Sequence, residues 1–277
     1  MIRLIALDID GTLVGDDSIV SQANRSALAS ARDRGAPTAL VTGRSRASSL
    51  PVVEQFDQGV IVALGSFDGA LVELLPSAEV LADHRLPADA AMRSFGAMVG
   101  AGLGPEVFTQ AADRPVVAWI DALPPQRWLG ENLHRLDVVD RAELERVLAD
   151  RPITISALSP LDVAEACAER MRAELGDEID VKITFSPRYG GYFSQVAAPR
   201  ATKVEAVKTV VERLGVTSDE VLAAGDWLND VDLLRFAGIG VAMDGSVEAV
   251  LLAADWVTAS VEDDGVALAV RRYVLRG

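Results

Sequence analysis

Two aspartates at the end of the first apolar segment are the first residues of this chain that could do chemistry. Residues 4–14 read Leu-Ile-Ala-Leu-Asp-Ile-Asp-Gly-Thr-Leu-Val, so charge follows directly after a segment typical of a buried strand. On an extended chain Asp8 and Asp10 point to the same side, where two carboxylates repel each other unless a cation or a shared proton lies between them. A cation would make a site for a hard metal, and a proton would make one carboxyl a general acid.

The residues that follow these acids fit either chemistry. Gly11 allows the backbone to turn tightly, and Thr12 adds a hydroxyl group. A simple Asp-Gly turn with both acids in solvent remains the alternative for this segment taken alone.

Two more polar clusters follow apolar segments that are typical of buried strands. Residues 37–41 lead into Thr42, Gly43 and Arg44, and residues 221–224 lead into the sequence Gly-Asp-Trp-Leu-Asn-Asp, which contains Asp226, Asn229 and Asp230. A helix from Ser21 to about Arg34 separates the first two strands, and strand-helix-strand order predicts parallel pairing. Because ligands bind at the carboxyl ends of parallel strands, we expect the three clusters to share one site.

Lys203 adds a cation to this set. It lies in the first turn of a predicted helix over 202–214, where the backbone N–H groups are free to bind an anion. The acids by themselves suggest a metal site, and the lysine, the hydroxyls and the helix end suit an anion that would share it.

The elements that must position these residues predict an α/β fold with two domains. Parallel strands and helices over residues 1–83 and 193–277 form a Rossmann-like core, and residues 84–192 form an inserted α/β domain. None of the strands predicted in the insertion, at 106–109, 116–120, 153–157 and 181–186, ends in a cluster of catalytic type.

Composition excludes several classes of protein. A formal net charge of -15 and a pI near 4.6 argue against nucleic-acid and anionic membrane partners, which are held by an excess of Lys and Arg. Cys167 is the only cysteine, so no internal disulfide forms and a reducing compartment is expected. Neither a leader peptide nor a membrane-spanning helix is expected, because the first residues lack the pattern of a leader and no apolar segment reaches about 18 residues. A cytoplasmic location is therefore expected.

The ordered motifs resemble the haloacid dehalogenase superfamily, in its branch of Cof-type phosphatases with a large α/β cap of the C2B type. Four matches carry the resemblance: Asp-Ile-Asp-Gly-Thr-Leu at 8–13, Thr-Gly-Arg at 42–44, Lys203, and Gly-Asp-Trp-Leu-Asn-Asp at 225–230. They come in the order of that family, the insertion falls between the second and third matches, and the resemblance covers essentially the whole chain.

The resemblance implies a role for each candidate residue. Asp8 would be the nucleophile that forms an aspartyl-phosphate, and Asp10 would protonate the leaving oxygen and later deprotonate water. Mg²⁺ would be held by Asp8, by the backbone carbonyl of Asp10 and by Asp226, with Asp230 as a further ligand or an orienting group. Thr42, Gly43 and Lys203 would bind the phosphoryl group, Thr12 and Asn229 would orient their neighbours, and Arg44 would either touch phosphate or form a structural ion pair.

Three departures from the pattern of the family weaken any transfer of substrate preference. Asp68-Gly69 stands where Asn-Gly is usual, Met243-Asp244-Gly245 replaces Met-Gly-Asn, and Val204 follows the motif lysine in place of Gly. The expected substrate is a small phosphate ester, with sugar phosphates as the family-level expectation.

Other functions remain open at this stage. Within the same fold, the chain could be a dedicated sucrose- or trehalose-phosphate phosphatase or a phosphomutase, and a non-catalytic binding protein is a further alternative. A dinucleotide-binding enzyme is disfavoured because no Gly-x-Gly-x-x-Gly follows the first strand. A phosphorelay receiver has no place for the large insertion. The oligomeric state is not predicted.

Overall fold

The computed structural model describes residues 1–109, 116–118, 137–186 and 189–276, and for residues 116–118 it describes the backbone alone. The chain divides into two compact units. Unit 1 comprises residues 1–83 and 200–277, and unit 2 comprises residues 84–199. In the described part of the chain, no helix combines the length and the apolar character needed to span a membrane.

The described strands are, in chain order, β1 (Leu4–Leu7), β2 (Thr38–Val41), β3 (Ile61–Ser66), β4 (Leu71–Leu74), β5 (Glu79–Asp83), β6 (Glu106–Phe108), β7 (Val116–Ala118), β8 (Asp137–Val139), β9 (Thr154–Ser159), β10 (Asp180–Ser186), β11 (Gly191–Ala197), β12 (Val221–Gly225), β13 (Ile239–Ala242) and β14 (Trp256–Val257). The described α-helices are α1 (Gln22–Asp33), α2 (Arg46–Val53), α3 (Ala88–Gly100), α4 (Arg141–Ala149), α5 (Leu161–Leu175), α6 (Lys203–Leu214), α7 (Val231–Phe236), α8 (Glu248–Ala253) and α9 (Gly265–Val270).

Unit 1 is built on an eight-stranded sheet of order β14-β13-β12-β1-β2-β3-β4-β5. The pairs from β14 to β3 are parallel, and β4 and β5 add an antiparallel edge. The predicted α/β class is confirmed. The three strands that end in the polar clusters, β12, β1 and β2, are direct neighbours near the middle of this sheet, so their carboxyl ends lie side by side.

Helices cover both faces of the central strands, which explains their continuous apolar sequences. On one face Ile5 and Leu7 belong to the cluster that includes Leu28 of α1. On the other face Leu4 belongs to the cluster that includes Val207 of α6. Every residue of β1 and of β12 is buried, so the polar groups at their ends begin where the apolar core stops.

Local sequence signals place the two helices that matter most for these strands. Ser21 accepts a hydrogen bond from the backbone N–H of Asn24 and begins α1, and Thr202 does the same for Glu205 at the start of α6.

The sequence did not predict α2, whose interior contains Pro51, or the exposed edge strand β5. Both lack the apolar periodicity on which such predictions depend.

Unit 2 contains a sheet whose described strands have the order β10-β11-β9-β6-β7-β8. Helices α3, α4 and α5 contribute to one apolar cluster with Val107, Ile155 and Val196 of the sheet.

The sequence placed residues 193–199 in the core domain, whereas the structure places them in unit 2. The reason is that β11 pairs along its length with β10 and β9 of that sheet. Residues 119–120 of one predicted strand lie outside the described residues.

In the described part of unit 2, one buried acid has a carboxylate oxygen without a hydrogen-bond partner. Glu106 on β6 is 4% exposed, and among the described residues its Oε1 has no hydrogen-bond partner. Removal from water disfavours the charged form, and this burial raises the pKa of Glu106 to about 8. The neutral acid is therefore the form that the fold accommodates.

We expect Glu106→Gln to stabilise the protein at alkaline pH only. Because the pKa of Glu106 is raised on folding, the wild type loses stability as pH rises from the ordinary glutamate range through about 8. At pH 8.5 the variant should be more stable by roughly 3–5 kcal/mol, with little difference at pH 4.5. Urea unfolding at both pH values measures this, with the exposed Glu169→Gln as a control. Equal stability of the variant and the wild type at pH 8.5 would contradict the prediction.

Candidate active site

Lys203 lies between two buried carboxylates at the end of the central strands. Its Nζ is 2.8 Å from Oδ1 of Asp8 and 2.7 Å from Oδ1 of Asp230. Lys203 and Asp8 are 2% and 5% exposed, and Asp230 is fully buried. A buried charge needs a charged partner, and here one ammonium group serves two acids that lie 195 and 27 positions away in the sequence.

Asp230 organises the loop that follows β12. Its Oδ2 accepts hydrogen bonds from the backbone N–H groups of Asp226 and Trp227, both at 3.1 Å. Gly225 makes this close approach possible, since a Cβ atom there would lie 2.3 Å from the Asp230 carboxyl carbon. Both oxygens of Asp230 are thus committed, one to Lys203 and one to the loop backbone.

Asp226 is tied to the loop that follows β1. The hydroxyl of Thr12 donates to Oδ1 of Asp226 at 2.9 Å. Gly11 has a φ of +75°, and a Cβ atom at this position would lie 2.5 Å from Oδ2 of Asp226. Glycine is therefore required here both for the turn and for space.

The arrangement of the acids fits a hard divalent cation. Asp8, Asp226 and Asp230 each offer one carboxylate oxygen, and these oxygens lie within 4.8 Å of one another. Since Asp230 already bonds Lys203 and two N–H groups, Asp8 and Asp226 are the two acids best able to act as ligands. The side-chain oxygen of Asn229 in the same loop is buried and has no hydrogen-bond partner among the described residues. Oxygen donors of this kind suit Mg²⁺.

Electrostatics favour the same conclusion. Burial raises the pKa of Asp8 well above its ordinary value, and the charges of Asp230 and Asp226 raise it further, while Lys203 opposes them. Burial also raises the pKa of Asp226, against the hydrogen bond from Thr12. Burial by itself lowers the pKa of Lys203, but the neighbouring carboxylates reverse this and raise it. A cation between Asp8 and Asp226 would relieve the repulsion that raises both carboxyl pKa values.

Thr42 and Gly43 lie at the end of β2, beside an acid that the sequence did not place in the site. Thr42 is 1% exposed, and its carbonyl accepts from the N–H of Asp68 at 2.8 Å. A Cβ atom on Gly43 would lie 3.5 Å from Oδ1 of Asp68. That oxygen also accepts from the side-chain amide of Asn229 at 2.8 Å. Two sequence signals concerned this position: the Asp68-Gly69 pair after β3 predicts a turn, and it stands where Asn-Gly is usual in the family.

Asp68 adds negative charge to the site. It is 4% exposed and has a left-handed φ of 57°, a conformation that Asp and Asn tolerate better than other residues. Its charge is one of those that raise the pKa of Lys203.

Arg44 forms an ion pair with Asp10. Nε of Arg44 donates to Oδ2 of Asp10 at 2.8 Å, and Nη2 donates to Oδ1 at 2.5 Å. Nη2 also donates to the hydroxyl of Ser18 at 2.9 Å. No sequence motif pointed to Ser18. All ten candidate residues named from the sequence lie in unit 1, at or just beyond the ends of β1, β2 and β12 and at the start of α6: Asp8, Asp10, Thr12, Thr42, Gly43, Arg44, Lys203, Asp226, Asn229 and Asp230.

Comparison with known proteins extends over nearly the whole chain. The sequence pattern of the haloacid dehalogenase-like hydrolases matches residues 5–270. A Bacillus subtilis relative named 5-amino-6-(5-phospho-D-ribitylamino)uracil phosphatase YcsE is 27% identical over 283 residues, which cover 99% of this chain and 96% of the relative. A solved sugar phosphatase of subclass IIB superposes with a TM-score of 0.78 at 21% identity and covers 98% of both chains.

A longer relative contains the same region as a part. The Arabidopsis thaliana protein named endoribonuclease YBEY, chloroplastic, is 27% identical over 301 residues, which cover 97% of this chain and 46% of that protein. The chain thus spans about half the length of this relative. The phosphatases among the relatives of this chain support phosphatase activity. The match over residues 5–270 settles the family: the chain belongs to the haloacid dehalogenase-like hydrolases, in the Cof-type branch.

Proposed function

We propose that this protein is a Mg²⁺-dependent phosphomonoester hydrolase that works through an aspartyl-phosphate on Asp8. The observation that carries the proposal is the buried pair of Asp8 and Lys203 at 2.8 Å, with carboxylate oxygens of Asp8 and Asp226 within 4.8 Å of each other. A nucleophilic carboxylate, a cation for the phosphoryl charge and a pair of hard metal ligands are the parts that phosphoryl transfer requires.

Asp8, Asp226 and the backbone carbonyl of Asp10 would hold Mg²⁺. When bound, the ion would neutralise phosphoryl charge and favour the ionised form of Asp8. Lys203 favours the same form, because its ammonium group contacts Oδ1 of Asp8 and lowers the carboxyl pKa against the effect of burial. Asp230 holds Lys203 in place and, with Thr12, fixes the loop that carries Asp226.

The residues of the chain account for both proton transfers. Asp8 attacks phosphorus, the bond from phosphorus to the leaving oxygen breaks, and Asp10 gives its proton to that oxygen. Asp10 then takes a proton from water as the water attacks phosphorus, and the bond to Asp8 breaks. Thr42, the backbone at Gly43, and Lys203 bind the phosphoryl oxygens in this proposal, while Asn229 orients Asp68 through their hydrogen bond.

Small phosphorylated metabolites, with sugar phosphates first, are the proposed substrates. The names of the relatives support this choice, since one is named for a phosphoribitylamino compound and one is a sugar phosphatase. We also propose that unit 2 is a cap of the C2B type that selects the leaving group, and that the protein works in the cytoplasm. A phosphomutase of the same fold is the second candidate, and a non-catalytic binding protein is disfavoured by the complete set of acids and Lys203.

Phosphate release tests the proposal directly. Wild-type protein should release phosphate from p-nitrophenyl phosphate and from members of a sugar-phosphate panel with Mg²⁺, and release should stop with EDTA. A requirement for a bisphosphate activator, with transfer back to the product, would indicate a mutase instead. No release from any substrate, together with no isomerisation, would contradict an enzymatic role.

Asp10→Asn should slow the reaction most for substrates with poor leaving groups. The variant cannot supply a proton, which an alkoxide leaving group needs and p-nitrophenolate does not. We expect a loss of about 10²–10⁴-fold for an alkyl phosphate and a clearly smaller loss for p-nitrophenyl phosphate when phosphorylation of Asp8 is followed by pre-steady-state kinetics. Equal losses for both substrates would count against Asp10 as the acid.

A further inference from the structure

The guanidinium of Arg44 occupies both carboxylate oxygens of Asp10. The bonds at 2.8 Å to Oδ2 and 2.5 Å to Oδ1 form a two-pronged ion pair, the strongest geometry available to an arginine and a carboxylate. Arg44 is itself anchored, since Nη2 also donates to Ser18 at 2.9 Å and its side chain is 19% exposed.

This ion pair conflicts with the proton-donating role of Asp10. A carboxylic acid that donates must carry a hydrogen on one oxygen and direct it at the leaving group, whereas Arg44 uses both oxygens as acceptors. The Asp10 side chain is 57% exposed, so surrounding atoms do not confine it. Arg44 is therefore the main restraint on this carboxylate, and at least one prong has to open before proton donation.

Arg44 also contacts a residue that the proposed function assigns to phosphoryl binding. Its backbone N–H donates to the hydroxyl oxygen of Thr42 at 3.2 Å. The guanidinium bonds Asp10, which is two residues from Asp8. The hydrogen bond to Asp10 raises the pKa of Arg44, and the negative charge of Asp8 raises it further. A phosphoryl dianion next to Asp8 would offer Arg44 a more highly charged partner than Asp10.

We infer that Arg44 is a positioning residue that changes partners when substrate binds. In the free enzyme it holds the Asp10 carboxylate, and on binding of a phosphate monoester it transfers hydrogen bonds to the phosphoryl oxygens and releases Asp10 for proton transfer. The inference rests on the proposed function. In this scheme Arg44 restrains the Asp10 carboxylate until a phosphoryl group is bound.

A double-mutant cycle on phosphate affinity tests this exchange. Inorganic phosphate is titrated calorimetrically at fixed pH 7 with Mg²⁺ into wild type, Arg44→Gln, Asp10→Asn and the double variant. Arg44→Gln should weaken binding about 10–100-fold, because the phosphate loses a guanidinium partner. Asp10→Asn should tighten it about tenfold, because Arg44 no longer has to leave a carboxylate. In the Arg44→Gln background the same Asp10 change should alter the Kd by less than about threefold.

Two further variants separate exchange from general effects of charge or folding. Arg44→Lys keeps the charge but cannot bond two oxygens in parallel, so its Kd should fall between those of the wild type and Arg44→Gln. Arg46 is the matched control, since its Nε donates to both oxygens of Glu73 at 3.0 and 2.8 Å on the same segment of chain. Arg46→Gln should leave the phosphate Kd within about twofold of the wild type.

The possible outcomes separate this inference from the proposed function. If Asp10→Asn tightens phosphate binding equally with and without Arg44, the cause is relief of repulsion between Asp10 and phosphate. That result would overturn the exchange of partners by Arg44. An unchanged Kd in Arg44→Gln would overturn it as well. Wild-type protein that binds no phosphate would contradict the proposed function. If the wild type binds phosphate but the effects of Arg44→Gln and Asp10→Asn on the Kd simply add, the proposed function stands and only the role of Arg44 is removed.

Discussion

Asp8→Asn should reduce phosphate release by about 10⁴-fold or more while the protein stays folded. The amide keeps the shape of the carboxylate but cannot form the aspartyl-phosphate. Folding should survive for two reasons. Burial raises the pKa of Asp8, so the neutral amide relieves a desolvation cost, and Lys203 keeps its second partner, Asp230, at 2.7 Å. Phosphate release with Mg²⁺, circular dichroism and thermal unfolding measure the two parts of the prediction.

Asp16→Asn is the matched control for this variant. Asp16 lies eight positions further along the chain and is exposed, so its substitution should leave turnover within about twofold. Acid quenching during turnover should trap a phosphorylated peptide that contains Asp8 in the wild type and none in Asp8→Asn. Turnover at the wild-type rate in Asp8→Asn would mean that the nucleophile is another residue.

Lys203→Met should lower stability by about 3–5 kcal/mol and abolish turnover. Methionine fills a similar volume, but Asp8 and Asp230 would then be buried together without the cation that contacts both at 2.8 and 2.7 Å. The phosphoryl group would lose its charge partner at the same time. Urea unfolding in EDTA measures the stability, and phosphate release with Mg²⁺ measures the activity.

The pH dependence of the stability difference between wild type and Lys203→Met shows whether the lost charge of Lys203 causes it. The pKa of Lys203 is raised on folding, so its contribution is fully present below the ordinary lysine pKa of about 10.4 and is lost only at higher pH. The pKa of Asp8 is also raised, so acid neutralises the charge that Lys203 compensates. The stability difference between wild type and Lys203→Met should therefore be large at pH 8 and should shrink as the pH is lowered and Asp8 takes up a proton. A stability difference that does not change with pH would indicate that the loss arises from side-chain packing and not from charge.

Lys208→Met is the control on the same helix. Its Nζ contacts Oε1 of Glu205 at 2.7 Å, but the side chain is 44% exposed, and an exposed ion pair contributes little to stability. We expect a change of less than about 1 kcal/mol and unaltered turnover. A loss equal to that of Lys203→Met would mean that the stability effect arises from the helix and not from the buried pair.

The sequence by itself determined the three strands that lead into the site and the polar residues that follow them. Apolar segments such as residues 4–7 are short and bounded by polar residues, and strand-helix-strand order predicts parallel pairing, which brings Asp8, Thr42 and Asp226 to one edge of the sheet. Local signals were sufficient for the start of α6 as well, because Thr202 caps the helix with a bond to Glu205 only three residues away. Information of this kind lies within a few neighbouring residues.

Only the tertiary structure decided which charged groups pair. Asp8, Asp10, Asp68, Asp226 and Asp230 are alike in chemistry, so the sequence cannot tell which oxygen meets which donor. Folding assigns Arg44 to Asp10, and it brings Asp68 to Asn229, 161 positions away. The boundary near residue 199 was likewise decided by the pairing of β11 with β9 and β10. Ion pairs and strand registers depend on distances between remote parts of the chain, and these distances are fixed only when the sheets and their covering helices pack.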